Sequence, residues 1–379
     1  MKICFVSSYP PNRARLSEYA ENLIEELAKR RSISKIYVLA DVASGAQLND
    51  LRGKIEVRRV WNPDGILSIL KILLHLVKLN PDIVHFNVHF QSFGKKRIPN
   101  FIGLTLPFLC KVAGIPSLVS IHNLGEKVHL KILGIKASFL NKLGIRIATK
   151  LITLATAVTV TVRSYVETLR NRYQCKSVIF VPHGTRVLCA RNSPSVNPHK
   201  IVLMFGHMSP SKGLPTMLEV ADRLSKDRDD FKVVIAGQSH PNFPDYLDKF
   251  RGPPLPNLEF TGYIVEDRIP ELFQKAFVVV LPYLTATGTS GVFHLACGFG
   301  KPIVASDLPE IRELVREGAS ALLVSPNDGE GFCKAILRLY DEPDLVKEME
   351  KQNISFASKE NWSEVVSSFE RIYVGLGAE

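Results

Sequence analysis

Apolar positions recur along this chain in two rhythms. Short continuous runs at 3–7, 36–40, 83–86, 117–121, 158–162 and 178–181 alternate with longer stretches in which polar and apolar residues mix. In LSEYAENLIEELAKR (16–30), Leu16, Tyr19, Leu23, Ile24 and Leu27 fall on one face at helical spacing. Continuous runs predict strands buried on both faces, and the mixed stretches predict helices that cover them. Repeated alternation of this kind predicts a βαβ series around a parallel sheet.

The alternation pauses at ARNSPSVNPH (190–199), where two prolines and several polar turn formers predict a linker. It resumes with apolar runs at 200–206, 233–237, 258–262, 277–282, 302–306 and 321–325. The pattern therefore predicts two Rossmann-like α/β domains, 1–190 and 191–360. A terminal amphipathic helix follows within 361–379.

Charge changes the picture. Of the net +11, residues 1–190 hold 28 Lys and Arg against 11 Asp and Glu, while 191–379 hold 20 against 26. A strongly basic first half implies an anionic partner. The six cysteines form no CxxC pair, which points to buried thiols in a reducing compartment rather than a disulfide framework or a metal site. No apolar run is long enough for a secretory signal or a membrane span. A cytoplasmic protein is expected.

Candidate chemistry concentrates in two loops of the second half. FGHMSPSKGL (205–214) follows a predicted strand and opens a helix, so free N–H groups and Lys212 are available for an anion. TATGTSGVFHLACGFGKPIVASD (285–307) has a single charge, Lys301, before its final Asp307. A loop of such small residues lets backbone N–H groups approach a pyrophosphate closely. Gly288, Thr289, Ser290 and Gly291 would form that cradle, with the hydroxyls as further donors. Gly237, at the end of one predicted strand, joins the candidate site. Tyr263, after Gly262, is placed to flank a nucleotide base.

These motifs carry a family resemblance. MKICFVSSYPP at the start, VPHGT (181–185), GHMSPSKG, SGVFHLACGFGKPIVASDLPEIRELV, ALLVSPNDGE and the closing NWSEVV are together similar to the retaining glycosyltransferases of family four. That resemblance spans nearly the whole chain. It implies the GT-B fold, two Rossmann-like domains facing across a cleft, with the final helix crossing back to the first. It implies a UDP- or GDP-sugar donor, no metal and no further cofactor. By the resemblance, Lys212 neutralises the donor diphosphate and Gly206 opens that loop. His207 replaces the arginine usual there, and Ser290, Gly291 and Val292 meet the phosphates through backbone N–H. His122, in SIHN, faces the donor sugar and the acceptor hydroxyl. The departing phosphate takes the acceptor proton. The chain departs from the family at its paired glutamates, whose positions fall on Thr287 and Leu295. It resembles instead a subset with an SGV-type loop. Glu310 and Glu313 are candidate substitutes, read from sequence as helix-surface charges.

Residues 127–150 contain six Lys or Arg and no Asp or Glu, and predict a basic amphipathic helix with Lys131, Lys142, Arg146 and Lys150 on one side. With 94–99 and 66–78 this predicts either contact with an anionic membrane surface, and so a lipid-linked or otherwise anionic acceptor, or a core-packed helix with a solvated basic face; a saccharide acceptor is the other expectation. Nucleic acid is not expected, because no aromatic-interleaved basic motif occurs. Two alternatives share the fold. An epimerase would convert donor with no acceptor present. A non-catalytic nucleotide-sugar-binding protein would bind donor without transfer. A Rossmann dehydrogenase is not expected, since no GxGxxG follows the first strand.

Overall fold

A computed structural model describes residues 1–379 except 13–14, 44–45, 48, 91, 95, 128–129, 131, 133–135, 189–198, 251–254, 287 and 378–379. The chain divides into two compact units. Unit 1 comprises Met1–Lys127, Ala137–Gly184 and Trp362–Glu379, and unit 2 the rest.

Among the described residues, unit 1 is built on eight strands: β1 (Lys2–Val6), β2 (Lys35–Asp41), β3 (Asn49–Arg52), β4 (Ile55–Trp61), β5 (Ile83–Val88), β6 (Ser117–Ile121), β7 (Ala157–Val160) and β8 (Val178–Phe180). Their order is β3-β4-β2-β1-β5-β6-β7-β8. All pairs are parallel except β3 with β4. The helices are α1 (Arg15–Ala28), α2 (Ile66–Leu79), α3 (Arg97–Leu104), α4 (Leu106–Val112), α5 (Phe139–Ile152) and α6 (Arg163–Tyr173). Residues from α2, α4, α5 and α6 form one core cluster, including Ile72, Leu106, Ile152 and Tyr165. Leu23, Ile24 and Leu27 of α1 belong to a second cluster.

Among the described residues, unit 2 has six parallel strands: β9 (Lys200–Phe205), β10 (Phe231–Ala236), β11 (Leu258–Gly262), β12 (Ala276–Leu281), β13 (Ile303–Ser306) and β14 (Leu322–Val324). Their order is β11-β10-β9-β12-β13-β14. Between them run α7 (Leu214–Asp227), α8 (Ile269–Lys275), α9 (Gly291–Gly298) and α10 (Pro309–Arg316), and after the last strand come α11 (Gly329–Asp341) and α12 (Pro343–Lys359). One cluster holds Phe273, Phe293, Ile311 and Phe356, and the other Met217, Leu224, Phe332 and Ile336. The final helix, α13 (Trp362–Gly377), belongs to unit 1, where its Phe369 and Tyr373 join the α1 cluster. His85, wholly buried on β5, anchors it: Nδ1 lies 2.6 Å from the Tyr373 hydroxyl and Nε2 2.7 Å from Ser120 Oγ.

Two differences from the sequence expectation stand out. β3 and β4 were not expected, because IEVRRVW alternates charged and apolar positions toward the edge of the sheet and lacks the continuous apolar run of a central strand. The basic helix expected over 127–150 is shorter. It begins at Phe139, capped by Ser138 Oγ accepting from Asn141 N. Lys131 lies outside the described residues, as do Cys189 and most of the 190–199 linker. The other five cysteines are free and buried.

Candidate functional site

In an open parallel sheet, ligands bind outside the carboxyl ends of the strands, where the strand order reverses. In unit 2 that point lies between β9 and β12, which pair directly while the chain runs outward from them on both sides. The two loops singled out in the sequence follow these two strands.

The loop after β9 is shaped by glycines. Gly206 donates its N–H to Ala236 O at 2.9 Å, and Gly237 donates to Gly262 O at 2.9 Å. These three strand-end residues form a stepped edge. Gly237 has φ +134°, and a Cβ there would lie 2.0 Å from Gly206 O. His207 is half-buried, its ring perpendicular to that of His240 at 6.1 Å between centroids. A short 3₁₀ turn, Pro210–Lys212, leads through Gly213 into α7. Lys212 is buried, its Nζ 3.6 Å from the centroid of the Tyr283 ring. A cation held over an aromatic face keeps its charge at low solvation.

The loop after β12 meets this one through the same tyrosine. Leu284 donates its N–H to Ser211 O at 2.9 Å. The Tyr283 hydroxyl lies 3.2 Å from Ser290 Oγ. Ser290 caps α9, accepting from Phe293 N at 3.3 Å. The Gly291 and Val292 N–H groups belong to the first turn, where a helix has no internal acceptor for them. Gly291 is exposed, with no atom within 4 Å of where a Cβ would stand. Thr289 Oγ1 is 2.8 Å from Nε2 of His294, whose Nδ1 is 3.1 Å from Thr185 Oγ1. The Thr289 hydroxyl is thus oriented by a buried histidine, where the sequence had placed it only in the phosphate cradle.

Lys212, Gly206, Gly237, Ser290, Gly291 and Val292 therefore gather at one edge of the unit 2 sheet. Tyr263 follows β11 and is 40% exposed. Thr287 lies outside the described residues, and Leu295 is half-buried on α9. Glu310 corrects the expectation of a surface charge: it is 8% exposed in the first turn of α10.

In unit 1 the strand order reverses between β1 and β5. His122 follows β6, with Nε2 2.6 Å from Asn87 Oδ1. Asn87 spends its amide protons on Ser7 Oγ at 2.9 Å and Leu16 O at 3.0 Å. Its Oδ1 therefore accepts from the histidine, which places the ring proton on Nε2 and leaves Nδ1 as the acceptor nitrogen. Tyr19 packs edge-on against the ring at 4.3 Å. Burial, with His183, His85 and His89 nearby, lowers the His122 pKa well below its ordinary value, so the ring is neutral at pH 7. Sequence reading missed Tyr283, Asn87 and His294. The one signal for Asn87 was a polar residue inside an apolar run.

Residues 199–342 match the family model described as "Glycosyl transferases group 1". An alpha-D-kanosaminyltransferase of Streptomyces kanamyceticus is 29% identical over 162 residues, 42% of this chain and 41% of that protein. The chain spans about half the length of the curated relatives it matches. Sucrose-phosphate synthase from Thermosynechococcus elongatus superposes with a TM-score of 0.77 at 17% identity, covering 100% of this chain and 99% of the other. Anabaena HepE, solved in complex with UDP-glucose, superposes with a TM-score of 0.73 at 18% identity, covering 99% of this chain and 100% of the other.

Proposed function

We propose that this chain, a member of the Glycosyl transferases group 1 family with a GT-B fold, moves a sugar from a UDP- or GDP-sugar to a lipid-linked or saccharide acceptor with retention of configuration. One observation carries the reading: Tyr283 holds Lys212 under its ring and touches Ser290 with its hydroxyl. It thereby joins the cationic loop after β9 to the helix start after β12. A buried lysine beside a helix N-terminus suits a diphosphate better than a neutral ligand.

Charge builds on the nucleoside diphosphate as the glycosidic bond breaks. In this reading Lys212, the Gly291 and Val292 N–H groups and, as a hydrogen-bond donor, His207 stabilise it without a metal ion. His122 is neutral and takes no part as a standing cation. Its acceptor nitrogen suits a sugar hydroxyl. The departing phosphate takes the acceptor proton. Glu310, buried at the start of α10, is the carboxylate we assign to the donor in place of the glutamates that Thr287 and Leu295 do not supply. The reaction takes place on the inner face of the cell membrane.

Calorimetric titration with UDP and with GDP tests the reading. One nucleotide should bind, and Lys212→Ala should weaken it at least tenfold. Binding of neither would remove the proposal. Binding without transfer or hydrolysis of the matching donor would favour a non-catalytic role.

A further inference from the structure

Four helices of unit 1 share an outer surface. α2 packs on α3, α3 on α4 and α5, and α4 on α5. Their inward residues join the core over the eight-stranded sheet. Their outward residues are not the polar set of an ordinary amphipathic layer. Of 22 exposed large hydrophobic residues among the described ones, 14 lie on these four helices. α2 shows it best. It buries Ile69, Ile72 and Leu76, yet Leu67, Leu74 and Val77 on its other sides are 73%, 67% and 70% exposed. Phe139, at the start of α5, is 75% exposed. The apolar arc of α2 is wider than the side that meets the core, and the surplus calls for a second apolar environment. Grouped exposed apolar side chains of this extent mark an interaction surface.

Charge decides what covers it. The four helices carry seven Lys and Arg and no Asp or Glu. Lys71, Lys78, Lys111, Lys142 and Arg146 are exposed among the apolar side chains. A second copy meeting this face across a twofold axis would set these positive charges against themselves. An anionic bilayer meets both properties, with acyl chains for the apolar residues and headgroups for the basic ones. No helix among the described residues is long and apolar enough to cross a membrane.

We propose that the outer face of α2–α5 docks on an anionic lipid surface, with the helices lying on the bilayer and not spanning it. This deepens the reading above, which admits a lipid-linked acceptor and sets the reaction at the membrane, but the surface stands on exposure and charge alone.

Co-sedimentation of the full chain with phosphatidylcholine vesicles, and with vesicles that also contain phosphatidylglycerol, tests it. The protein should partition onto the anionic vesicles and far less onto the neutral ones. Lys71→Gln with Lys142→Gln should weaken binding about fivefold per residue, since a basic residue near such a surface contributes ~1 kcal/mol. Leu67→Glu with Leu74→Glu should lower it more than tenfold. Nucleotide binding, which the reading above places in unit 2, should be unchanged in both variants, and a thermal-unfolding curve matching wild type reports that the altered unit 1 folds. Equal partitioning of all three proteins would overturn the proposal. So would a dimer in light scattering that the glutamate variant converts to monomer. Vesicle binding with no nucleotide binding would sink the donor reading and leave this one intact.

Discussion

Lys212 and Tyr283 show how one contact serves two loops. The ring holds the ammonium group at 3.6 Å, and the hydroxyl reaches Ser290 at 3.2 Å. A desolvated cation–π contact contributes roughly 1–2 kcal/mol. Tyr283→Ala should therefore weaken UDP or GDP binding about five- to thirtyfold by calorimetry, while Tyr283→Phe, which keeps the ring, should lose less. Unchanged binding in Tyr283→Ala would mean that the ring does not position Lys212. Lys212 was legible because a lysine in a strand-to-helix loop has a ready chemical meaning. Tyr283 was not, because an aromatic residue after an apolar run reads as core.

Among the elements, the glycines of the site loops divide into two kinds. Gly213 has φ +69°, and a Cβ there would meet Pro282 O at 1.8 Å; Gly237 is similarly confined against Gly206 O. Gly237→Ala should cost at least about 1–3 kcal/mol from backbone strain alone, read as a lowered Tm. Gly291→Ala has open space and begins a helix, so stability should hold or rise. Its nucleotide affinity should nevertheless fall, because the added methyl occupies the approach to the first-turn N–H groups. Equal Tm losses in the two variants would refute this division. The strands β1, β5, β6 and β9 were legible as continuous apolar runs. β4 was not, since IEVRRVW, toward the sheet edge, keeps charges at positions that a central strand would bury.

Across unit 1, buried histidines link stability to pH. Burial lowers the pKa of His85 to about 3 and of His183 to about 4. An unfolded histidine titrates near 6.5. The stability these rings contribute as neutral groups is therefore fully present above pH ~6.5 and is lost as pH falls toward 4 and 3. For His85, wholly buried, the loss at pH 5 is about 2 kcal/mol. Burial raises the pKa of Asp41 and Glu126, which acts in the opposite sense. The measurement is accordingly a comparison, with urea unfolding of wild type and His85→Asn at pH 7 and pH 5. The variant should lose less stability between the two, and equal losses would refute the assignment. His85 also marks where sequence reading stops. Apolar periodicity is local, so the chain alone specified the alternating α/β elements, the loops after β9 and β12 and the basic character of the first half. Contacts between residues far apart in sequence leave no such period. Only the folded chain joined His85 to Tyr373, Asn87 to His122 and Tyr283 to both Lys212 and Ser290. Likewise, only packing decided which apolar residues of α2 enter the core and which stay exposed, because Ser68, Lys71, His75 and Lys78 mark one polar stripe and leave an apolar arc wider than the side that meets the core.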